Sequence, residues 1–129
     1  MSLVIQPYCS RTGTATTLSE LRKRGWRLLV SATGVWRTEG FGYALDNGAW
    51  TAHQKGLPML DLDLFWSLVA KFGSGADWVV APDIVGGGRA SLELSVGNLP
   101  RLLDCAPKAA LACRTAWCRR KWCSTSGLG

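Results

Sequence analysis

The apolar positions of the chain fall into alternating short runs and helical periods. Trp78, Val79, Val80 and Ala81 form an uninterrupted apolar run, the pattern of a strand buried on both faces. Just before it, Leu62, Phe65, Trp66, Val69 and Phe72 share one face of a helix predicted over residues 61–72. Asp61 is its N-cap, Asp63 adds negative charge near the positive helix end, and Gly73 or Gly75 ends it. Leu92, Val96, Leu99, Leu102 and Leu103 repeat the period over Ser91–Leu103. Pro100 falls inside that helix and predicts a kink or two short helices. Trp26–Ala32 (WRLLVSA), Tyr43–Leu45 and Lys108–Ala112 read as further strands, and Leu3–Ile5 as a short first one. Thr17 and Glu20 match a capping box ahead of a short helix through Leu21 to Arg24, which Gly25 ends. Thr12–Thr17, Thr33–Gly40 and Ala52–Gly56 read as loops.

From Trp26 onward the order is strand, strand, helix, strand, helix, strand. Alternation of this kind predicts an α/β fold with a parallel sheet and right-handed crossovers. Tyr43–Leu45 then delivers Asp46, and Trp78–Ala81 delivers Asp83, from their C-terminal ends. Parallel strands bring both carboxylates to one rim, where they would push each other's pKa apart. That arrangement suits acid/base work or recognition of a ligand rich in N–H groups. Other readings stay open. Asp83 can simply cap the next helix, and Asn47-Gly48 is also a hairpin turn signal. Gly86, Gly87 and Gly88 leave room for a ligand or for tight turns. His53, the sole histidine, lies in a polar segment and reads as a solvated residue rather than a ligand or base.

Composition limits the functional classes. A chain of 129 residues with 47% apolar and 19% charged residues is one folded domain, not a disordered segment. No apolar run reaches the roughly 18 residues of a membrane span, and no secretory signal is evident at the N-terminus, so no membrane partner is expected. Five cysteines without framework spacing favour a reducing, cytoplasmic setting. The net charge of +6 invites a nucleic-acid reading, but it is unevenly spread. Residues 1–112 hold eleven Lys and Arg against nine Asp and Glu, whereas residues 113–129 hold Arg114, Arg119, Arg120 and Lys121 and no acid. That tail also carries Cys113, Cys118 and Cys123, whose C-x4-C-x4-C spacing is not a usual zinc pattern.

LDNGAW, residues 45–50, resembles the DSGG-type motif of the tRNA-guanine transglycosylases, and GADWVVAPDIVGG, residues 75–87, is similar to a later strand of that family. The likeness covers about Trp26–Ala112 and is nearest to the short branch related to DNA 7-deazaguanine transglycosylases. It implies a (β/α)8-type (TIM) barrel of which residues 1–112 are the N-terminal half. It implies Asp46 as an acid/base carboxylate and Asp83 as the group that hydrogen-bonds guanine or a 7-deazaguanine, with Asn47, Gly48 and Gly87 also on the substrate side. The partners implied are tRNA or DNA and a 7-deazaguanine base.

Departures accompany the likeness. Asn47 stands where the family often has Ser, and Ala49 where it often has a second Gly. The family's nucleophilic Asp lies on a later strand than this chain contains. Its tRNA enzymes carry a zinc site of C-x-C-x-x-C and His; these ligands are absent here, so no cofactor is expected. One permitted set of codons for CRTAWCRRKWC, preceded by a G and read from that base, gives VQDGMVPEEVV, similar to the family's next motif. Residues 113–129 are therefore expected to be an out-of-frame tail, and the chain a truncated, inactive form of a base-exchanging transferase. A non-enzymatic nucleic-acid-binding module using the basic tail, or another barrel hydrolase or lyase using the paired Asp residues, are the alternatives.

Overall fold

The computed structural model describes residues 4–10 and 14–112. Five strands, β1 (Tyr8–Ser10), β2 (Arg27–Ser31), β3 (Tyr43–Asp46), β4 (Val79–Val80) and β5 (Ala109–Ala110), form one sheet in sequence order. Every neighbouring pair is parallel. The connections carry helices α1 (Ala15–Lys23), α2 (Ala49–Gln54), α3 (Leu62–Phe72) and α4 (Arg89–Cys105). The chain is thus an α/β protein with a five-stranded parallel sheet, as the alternation predicts.

Register decides which side chains meet the helices. Val30 pairs with Leu45, Leu45 with Val79, and Val79 with Ala109, so these four share one face. Val30, Leu45 and Val79 belong to one core with Phe65, Leu68 and Val69 of α3 and Leu102 of α4. Leu28, two residues before Val30 and hence on the same face, packs with Leu18 of α1 and Phe41. The helices therefore cover this face.

The other face is concave. Neighbouring strands lie about 4.8 Å apart, so β1 and β4 would be separated by about 14 Å in a flat sheet. The rings of Tyr8 and Trp78 nevertheless meet edge to face, with centroids 5.1 Å apart. Side chains stand roughly perpendicular to a sheet, so this contact requires the sheet to curl around the face that carries both rings.

Several elements differ from the sequence expectation. The first strand among the described residues is Tyr8–Ser10; of the expected Leu3–Ile5, Val4 and Ile5 are outside any strand and 86% and 76% exposed, and Leu3 lies outside the described residues. Tyr8 meets the Trp78 ring. Helix α1 starts earlier than the capping box suggests. Thr14 accepts from the Thr17 amide at 3.4 Å, and Glu20 pairs with Lys23 instead of reaching back. Asn47-Gly48 makes no hairpin, because β3 and β4 are parallel. Helix α4 runs unbroken through Pro100. It is also rotated from the leucine face read in sequence: Val96 and Leu103 are exposed, while Ser91 and Ser95 are buried with Leu102. In α3 the buried face is centred on Phe65, Leu68 and Val69; Trp66 is only partly buried and faces the Arg101 guanidinium at 3.9 Å. His53 sits in the last turn of α2, not in a loop. The reading of the tail falls on residues 113–129, outside the described residues.

Candidate functional site

The C-terminal ends of β3, β4 and β5 surround an open concavity of about 390 Å³ on the curled face. Asp46, Asn47 and Asp83 supply its polar lining, and Trp50, Trp78 and Val80 much of its apolar lining. The two aspartates selected from the sequence thus border one space. Asp46 is the last residue of β3 and only partly buried. Asp83 lies three residues beyond β4 and is 1% exposed.

A carboxylate that deep costs several kcal/mol unless donors satisfy it. Asn47, itself 3% exposed, donates from Nδ2 to Asp83 Oδ1 at 2.7 Å and to the Ala81 carbonyl at 2.8 Å. Its Oδ1 accepts from the Ala49 amide at 2.8 Å. Helix α4 holds the same loop from the other side. Ser95 Oγ donates to the Pro82 carbonyl at 2.7 Å, and Ser91 Oγ accepts from the Ile84 amide at 2.9 Å. The Ala81 amide continues the ladder to the Ala110 carbonyl at 2.8 Å. Residues 81–84 are therefore tied at every step. The rotation of α4 that turns Ser91 and Ser95 inward follows from these carbonyl and amide groups, which need partners once buried.

The two glycines have backbone reasons for being present, and neither lines the concavity. Gly48 has φ +80°, and a Cβ there would lie 3.1 Å from Thr33 Cγ2. A Cβ on Gly87 would lie 2.7 Å from the Ile84 Cβ, in a turn closed by the Gly87 amide and the Ile84 carbonyl. The family likeness implies a substrate-side position for both glycines, and the structure adds a turn constraint at each. Likewise the Asn47 amide is spent on protein partners. Asp83 is not an N-cap: α4 begins at Arg89, with Gly88 in that position.

Trp50 and Trp78 have no site role in the sequence analysis, yet they give the concavity much of its apolar surface. Trp50 is 54% exposed on the first turn of α2, and its ring lies against that of His53, centroids 5.4 Å apart. Trp78 is backed at the N-terminal end of the sheet by Tyr8. The Tyr8 hydroxyl donates to Asp77 Oδ2 at 2.7 Å, and Arg27 Nη1 donates to both Asp77 oxygens at 2.8 Å. Burial, then the hydrogen bond to Asp77 and its charge, raise the Tyr8 pKa above the ordinary tyrosine value. No spacing in the sequence joins Tyr8, Arg27 and Asp77, which meet across β1, β2 and the start of β4.

Among the described residues there is no group of three or more His, Cys, Asp or Glu that could hold a metal ion. No helix among them is long and apolar enough to cross a membrane. Comparison with family models, curated proteins and solved structures finds no match.

Proposed function

We propose that this chain carries the base-recognition half of a transglycosylase that replaces guanine in tRNA or DNA with a 7-deazaguanine. In this reading residues 4–112 are the first half of a (β/α)8-type barrel. Five parallel strands in sequence order, curled away from their helices, support it, since such a sheet continued further closes into a barrel with its chemistry at the C-terminal face. The observation that carries the reading is the shared concavity of Asp46 and Asp83 beside Trp50 and Trp78. Flat aromatic surface suits a heterocycle, and a buried carboxylate accepts from the N–H groups along a guanine-like edge. Asp83 reads that edge. Asp46, the more accessible carboxyl, gives a proton to the departing base and takes one from the incoming base. The family's nucleophile belongs to a later strand, so recognition rather than exchange is assigned to residues 4–112. The basic-tail alternative rests on residues 113–129 and has no observation among the described residues behind it.

Titration with 7-deazaguanine, followed by tryptophan fluorescence, tests the proposal. Saturable quenching is expected, with affinity roughly 10- to 100-fold weaker in Asp83→Asn, the worth of a hydrogen bond to a charged group. No binding by the unaltered chain, or equal binding by the variant, would overturn it. No incorporation of labelled guanine into tRNA or DNA by this chain is expected; incorporation that is lost in Asp46→Ala would overturn the assignment of recognition without exchange.

A further inference from the structure

Resting on that reading of the site, we infer that Asn47 is a positioning residue: one side-chain amide locks the Asp83 carboxylate and the backbone carrying Asp46 into a single rigid unit. Asn47 directly follows Asp46, and its Oδ1 takes the Ala49 amide at the start of α2. The same side chain reaches across to β4, holding the Ala81 carbonyl and Asp83 Oδ1 at 2.8 and 2.7 Å. These partners fix the amide's orientation, because Nδ2 faces two acceptors and Oδ1 faces a donor. At 3% exposure it has little surface left for a ligand. The family-like motif places a small hydroxyl residue at this position, and a hydroxyl carries one donor where the amide carries two. This chain therefore has a cross-strand tie that a serine could not reproduce in full.

Asn47 is a neutral donor, so its bond to Asp83 orients the carboxyl without adding a charge of its own. Among the described residues lining the spaces beside Asp83, Asp46 from β3 and His53 from α2 also carry titratable side chains. The pH dependence of binding has to be separated from both.

Three substitutions of Asn47 test the inference, with 7-deazaguanine as the probe. Asn47→Ala removes the donor and is expected to weaken binding roughly 10- to 100-fold. Asn47→Ser is expected to fall between it and the unaltered chain. Asn47→Asp sets a second carboxyl against Asp83, so binding is expected to be lost at neutral pH and regained in acid, where the introduced carboxyl holds a proton and donates it. The same profile is expected in a His53→Gln background, and no such acid recovery in the unaltered chain. An Asn47→Asp variant with the profile of the unaltered chain, or Asn47→Ala with full affinity, overturns the inference.

One readout is independent of ligand. In the unaltered chain, the Asn47 side-chain amide protons are expected to exchange slowly with solvent. Fast exchange overturns the inference without any variant having to fold.

Discussion

Each end of the sheet holds an aspartate within a hydrogen-bonded cluster, and the two clusters are built on opposite principles. At the N-terminal end Asp77 takes both of its strong partners from donors that satisfy it outright, the Arg27 guanidinium and the Tyr8 hydroxyl. Its charge is cancelled locally, and its side chain stays 30% exposed. At the C-terminal end Asp83 is 1% exposed and is held by the neutral Asn47 amide. The first aspartate joins β1, β2 and β4. The second borders the space lined by Trp50 and Trp78. Donor and burial together set the two carboxylates apart.

The contrast is sharpest in ligand binding. Asp83→Asn is expected to lose roughly 10- to 100-fold in affinity for 7-deazaguanine, whereas Asp77→Asn is expected to change it less than about threefold. Isothermal titration of both variants measures the difference, and equal losses would dissolve the distinction. For stability the order reverses. Asp77→Ala strands the Arg27 and Tyr8 donors and is expected to cost about 1–2 kcal/mol in urea unfolding, a value kept low by the partial exposure of the pair. Ser95→Ala leaves the Pro82 carbonyl without its donor and is expected to cost about 1 kcal/mol.

The smallest effect is one of pH. Tyr8 and Tyr43 both have pKa values raised above 10.0, burial being the first cause for each and the Asp77 charge a further one. The folded chain then keeps these protons to higher pH than the unfolded chain does. Their contribution is complete below pH 10.0 and is lost as pH rises through the raised folded values. Thermal melts from about pH 8 to pH 11 should show this decline, shallower in Tyr8→Phe.

The same two clusters show what could be read from the residues alone. Asp46 and Asp83 were legible because each closes a short apolar run, and parallel strands bring run ends together. Helix α3 was legible from its period and from Asp61, which caps it through the Leu64 amide. The Asp77 cluster was not, since Tyr8 and Asp77 are brought together only by the curl of the sheet. Helix α4 was misjudged because leucine spacing is a statement about burial, and here the buried carbonyl and amide groups of residues 82–84 drew Ser91 and Ser95 inward instead. In sequence Gly87 reads as room for a ligand or a tight turn and Asn47-Gly48 as a turn signal; the φ of Gly48 and the Ile84 contact of Gly87 give the turn constraint its physical form.

The contact between Tyr8 and Trp78 also bears on how the chain folds. Each strand pairs with its neighbour in sequence, so every strand pairing closes a shorter stretch of chain than the contact between β1 and the start of β4. The hydrogen bond from Tyr8 to Asp77 spans 69 residues and closes the longest of these loops, at the highest entropic cost. It is expected to form after the neighbouring strands have paired, giving φ-values near zero for Tyr8→Phe beside higher ones in β2 and β3. A truncation that removes β1 would then accelerate unfolding far more than it slows folding, and would free the Trp78 ring that backs the concavity.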